Sequence, residues 1–159
     1  MQAVVVCDYH IESFEPLATD LHPILFPLAG TPILGYTLES LERGGVEDVL
    51  LIGSHNFTQI ESYIASSRWG EPNYPVKVRT IVAARAQSVG DALREIDRLG
   101  LVKSDFVLVR GGLLSNLPIP SLVEEHRRKK EVDKDALLMT MVLFETDSRS
   151  ALSQRRYAC

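Results

Sequence analysis

Along this chain short apolar runs alternate with polar stretches of helical period. Ala3-Val4-Val5-Val6-Cys7 is continuously apolar and reads as a first strand buried on both faces. A helix opens at 31–41 and is stopped by Gly44-Gly45. Residues 48–53, Asp-Val-Leu-Leu-Ile-Gly, repeat the buried-strand pattern. Phe57, Ile60, Tyr63 and Ile64 then recur at helical spacing, so a second helix follows and ends near Trp69-Gly70-Glu71-Pro72. Residues 75–82 alternate with period two, as a strand nearer the sheet edge does. Ser88-Val89-Gly90-Asp91 leads into a helix over 92–99, which stops at Gly100. Residues 105–110 form a fourth strand ended by a tight turn at Gly111-Gly112. A polar helix runs from Pro120-Ser121 to about Lys130, and 136–144 reads as a fifth strand.

The order β-α-β-α-β-α-β-α-β predicts an α/β fold, a Rossmann-like, mostly parallel sheet with helices on both faces. One domain over 1–144 accounts for the periodic part, and 145–159, with few large apolar residues, reads as a disordered tail. The 45% hydrophobic content suffices for a core in a chain of 159 residues. A net charge of −4 argues against direct nucleic-acid binding, and no apolar run reaches the ~20 residues of a membrane span. Cys7 in a strand and Cys159 at the last position suggest no disulfide framework, which fits a cytosolic, reducing setting. Cys159 is not in a prenylation box, and an unreactive thiol is the simpler reading of it.

In such sheets ligands sit beyond the carboxyl ends of the strands, which singles out Asp8, His22, Asp91 and Gly111-Gly112. The stretch between the first strand and first helix has the layout of a phosphate-binding loop. It reads Asp8-Tyr9-His10-Ile11-Glu12-Ser13-Phe14-Glu15-Pro16, with no glycine and three acidic side chains. A triphosphate would meet bulk and like charge there. Asp8 could hold Mg²⁺ or a ribose hydroxyl, but the turn after the fourth strand supplies glycine instead of a second carboxylate. His22, before Pro23, has no nearby carboxylate or nucleophile partner and reads as a surface or packing histidine. Asp91 reads as a helix N-terminal cap. In 124–131, Glu124 to Arg128 and Glu125 to Lys129 are favourable i,i+4 pairs, the signature of a solvated helix face. Phe57, Tyr63 and Trp69 read as packing residues more than as a stacking platform. No cysteine or histidine pair stands at metal-ligand spacing, and no serine stands in a glycine-flanked elbow. We therefore expect no catalytic residue, no cofactor-binding residue and no metal ligand.

The first strand, Pro16-Leu17, and Pro23-Ile24-Leu25-Phe26-Pro27-Leu28-Ala29-Gly30-Thr31-Pro32-Ile33 resemble the opening of the sugar-phosphate nucleotidyltransferase superfamily. Laid on that family, its loop glycines fall near Asp8, Tyr9 and Ile11, and its catalytic arginine falls on Ser13. Its phosphate-binding lysine becomes His22, its Gly-Thr-Ala loop becomes Ser88-Val89-Gly90, and its metal-holding aspartate becomes Gly112. Such losses would remove the electrostatic stabilisation on which phosphoryl transfer depends. Within the superfamily the chain is similar to the epsilon-subunit family of translation initiation factor 2B. The residues carrying this are Tyr36-Thr37-Leu38-Glu39, Ser67-Arg68-Trp69, the run from Ser88 to Asp97, Ser104-Asp105-Phe106-Val107-Leu108-Val109, Glu124-Glu125-His126-Arg127 and Met139-Thr140-Met141-Val142.

That resemblance implies a non-catalytic nucleotidyltransferase-like portion, with other subunits of initiation factor 2B, the gamma subunit especially, and initiation factor 2 as partners. It supports guanine-nucleotide exchange through protein contacts, whereas the exchange domain of that family is not in this sequence. The competing readings are an active sugar-phosphate nucleotidyltransferase with His22, Asp8 or Arg110 as substitute groups, and a sugar-nucleotide sensor without turnover. The family fold continues with further strands, so the fold is expected to be incomplete at the C-terminus. An exposed strand edge would then make the isolated chain marginal or aggregation-prone.

Overall fold

The valine run at the start of the chain becomes the strand around which everything else is placed. In the computed structural model, which describes residues 1–8, 20–54, 56–112, 114–132 and 138–143, β1 spans Gln2–Val6. It is followed by a two-stranded hairpin of β2 (Pro27–Leu28) and β3 (Thr31–Pro32), α1 (Ile33–Arg43), β4 (Asp48–Gly53), α2 (Phe57–Ser66) and β5 (Lys77–Val82). Then come α3 (Val89–Arg98), β6 (Phe106–Arg110) and α4 (Ile119–Val132). Contacts divide the chain into Met1–Pro120, which holds the sheet, and Ser121–Cys159.

The main sheet has the order β5-β4-β1-β6, and every neighbouring pair is parallel. Val4 lies opposite Leu50 on one side and Leu108 on the other, and Val5 lies opposite Leu51 and Val109. Period two then sorts the side chains. Ala3, Val5 and Cys7 join Val49 and Leu51 in a cluster with Leu34, Leu38 and Leu41 of α1 and Ile60 of α2. Val4 and Val6 join Leu50 and Ile52 in a second cluster with Ala92 and Ile96 of α3. Each large aliphatic side chain fully buried in this way contributes ~1.5–3 kcal/mol. The helices thus cover both faces, as the sequence predicts, and β5 lies at an edge, as its alternation does.

The structure corrects two boundaries and one strand. The helix expected from residue 31 begins at Ile33, because Thr31 and Pro32 pair with Leu28 and Pro27. That hairpin turns through positive φ at both Ala29 (φ 49) and Gly30 (φ 85), the geometry of the favoured two-residue turn. The helix expected to run to Trp69 ends at Ser66, and Arg68–Gly70 forms a 3-10 turn. The strand expected at 136–144 is not formed over its described part: 138–143 belong to no strand, with Leu138 and Leu143 exposed. An apolar sequence becomes a strand only where a neighbour takes its backbone groups, and among the described residues none pairs with this segment. Residues 136, 137 and 144, the tail at 145–159 and the loop at 9–19 lie outside the described residues.

Ala29 holds a left-handed backbone that disfavours a Cβ. Ala29→Asn is expected to raise stability by up to about 1 kcal/mol in urea unfolding, because asparagine tolerates this region. An unchanged or lowered midpoint would refute the strain.

Candidate functional site at the carboxyl ends of the strands

The chain order reverses between β1 and β6, so the ligand crevice of such a sheet lies beyond Val6 and Arg110. The backbone N–H of Gly111 donates to the carbonyl of Val6 at 2.6 Å. A Cβ on Gly111 would stand 2.8 Å from Cδ1 of Ile24, 2.9 Å from the Val6 carbonyl oxygen and 3.1 Å from Cα of Cys7. Glycine is therefore required at 111 by close approach. The side chain that fills the space is Ile24, which is fully buried. Gly112 follows at φ 81, a turn conformation suited to glycine.

Asp8 ties two strand ends together. Its Oδ2 accepts the backbone N–H of Ser54 at 2.6 Å, tying the end of β1 to the end of β4. Gly53 is packed beneath it, since a Cβ there would stand 3.0 Å from Asp8 Oδ1 and 2.6 Å from a ring carbon of Phe57. Among the described residues, no group of three or more His, Cys, Asp or Glu is placed to hold a metal ion. Cys7 is buried, and that burial, with the negative charge of Asp8 second, pushes its thiol far above its ordinary range.

His22 is a buried cap. It precedes the 3-10 turn Pro23–Leu25, and its Nδ1 accepts the backbone N–H of Ile24 at 3.3 Å. A ring nitrogen used in this way carries no proton of its own. The backbone N–H of His22 donates to Oε1 of Gln59 at 2.8 Å, while Nε2 of Gln59 donates to the carbonyl of Asp20 at 2.9 Å. One amide on α2 thus fixes the segment that brings Ile24 into the crevice. Gln59 and Ser54 carry no sequence signal for these roles, because their partners lie 37 and 46 residues away.

Ser88 is the cap of α3 and Asp91 its partner, which refines the sequence reading. The backbone N–H of Asp91 donates to Ser88 Oγ at 3.1 Å, and that hydroxyl donates to Asp91 Oδ2 at 2.9 Å. Gln87 N–H and Arg94 also donate to this carboxylate. The Ser88 hydroxyl first, then the Gln87 amide, hold the Asp91 carboxyl below its usual range. The sequence-selected residues therefore meet around the crevice only in part: Asp8, His22 and Gly111 belong to it through backbone ties and packing, and Asp91 serves a helix end. Arg110 ends β6 as an exposed residue. Phe57 and Trp69 are buried in the first cluster, in agreement with packing roles, and Glu125 pairs with Lys129 at 2.7 Å.

An open groove of about 840 Å³ lies elsewhere, along α1 and lined by Leu28, Tyr36, Arg43, Leu114 and Leu117 among others. Its charged lining is an ion pair, Glu39 with Arg43 at 2.6 Å. No helix among the described residues is long and apolar enough to cross a membrane.

Residues 12–148 match the nucleotidyl transferase family. The chain belongs to that family. It is 44% identical over 145 residues to the translation initiation factor eIF2B subunit epsilon of Schizosaccharomyces pombe, covering 91% of this chain and 21% of that protein. The same subunit of Dictyostelium discoideum is 34% identical over 149 residues, 93% of this chain and 21% of the relative. The chain thus spans about a fifth of the length of these curated relatives. Among solved structures, a UDP-glucose pyrophosphorylase complexed with UDP-glucose superposes with a TM-score of 0.67 at 13% identity, over 81% of this chain and 54% of that one. The nucleotidyltransferase fold expected from the opening motifs is therefore the fold of this protein.

Two outcomes follow from the caps at His22 and Ser88. His22→Lys removes the acceptor for the buried Ile24 N–H and is expected to cost about 1–3 kcal/mol in chemical unfolding, with His22→Asn losing less. Equal losses would remove the cap from the argument. Asp91 has a depressed folded pKa, so its stabilising contribution is present above the unfolded value near 3.8 and is lost as pH falls below it. Asp91→Asn should flatten this part of the acid-unfolding curve, and an unaltered curve would contradict the assignment.

Proposed function

We propose that this chain is the nucleotidyl transferase-like portion of an epsilon-type subunit of initiation factor 2B, working through protein contacts and not through nucleotidyl transfer. The observation that carries this is the crevice itself: Ile24 packs against Gly111, His22 is spent on a backbone cap, and Asp8 on the Ser54 amide. Nucleotidyl transfer needs cationic groups and a metal facing a developing charge, and these side chains supply apolar bulk and satisfied hydrogen bonds in their place. Similarity to epsilon subunits over more than nine-tenths of the chain supports the same reading. The gamma subunit, the other subunits of the factor and initiation factor 2 are the partners this reading names, and the cytosol its location. The exchange reaction itself is assigned to other parts of the assembly.

The competing reading, an active sugar-phosphate nucleotidyltransferase, draws on the family match and on an aspartate at the end of β1. Titration calorimetry with Mg²⁺ and GTP or UTP separates the two. No saturable heat is expected up to about 1 mM nucleotide, whereas tight metal-dependent binding with pyrophosphate release would establish the enzyme. Affinity capture of the tagged chain from cytosol should bring the gamma subunit and initiation factor 2, and their absence would count against the assembly role.

A further inference from the structure

We draw no further inference here: the strongest candidate, the open and mostly apolar groove of about 840 Å³ lined by α1, the β2–β3 hairpin and residues 114–120, carries nothing because nothing in the structure shows what covers it.

Discussion

The fold depends on β1 being buried on both faces and hydrogen-bonded on both edges. Its five residues are in register with β4 and β6 at once, so a slip of one position would exchange the clusters under α1 and α3 and misalign two ladders together. The same register sets where β1 ends, and with it the position of Cys7, Asp8 and the Val6 carbonyl that binds Gly111. The geometry of the crevice is a consequence of that packing.

A fold shared with sugar-nucleotide enzymes does not entail their chemistry, because chemistry resides in the side chains presented at the strand ends. Here those positions are committed to holding the scaffold. Asp8 joins β1 to β4, His22 and Gln59 hold the approach to the 3-10 turn, and Ile24 occupies the space over Gly111. The first two of these contacts are hydrogen bonds to backbone N–H groups, and the third is apolar packing. The groove along α1, lined by the hairpin and the segment before α4, is by contrast open and lined mostly by apolar side chains.

Much of this was legible in the residues. The runs at Ala3 to Cys7 and Asp48 to Gly53 are long enough, and apolar enough, that only double-sided burial fits them. Glycine pairs marked both the end of α1 and the turn after β6. The hairpin at 27–32 was not legible, because its turn is carried by Ala-Gly, a weaker signal than the asparagine-glycine pair that usually marks positive φ at two successive positions. The segment at 138–143 was read as a strand from composition, yet pairing is a property of a neighbour and not of the segment.

The sequence by itself determined the alternation of elements, the parallel sheet and the residue types offered at the strand ends, since these follow from local periodicity and residue identity. Only the tertiary structure decided what those residues do. Ser54 reaches Asp8 and Gln59 reaches His22 across 46 and 37 residues, and Ile24 meets Gly111 across the crevice. Contacts of that separation are set by strand register and helix docking, which no local pattern encodes.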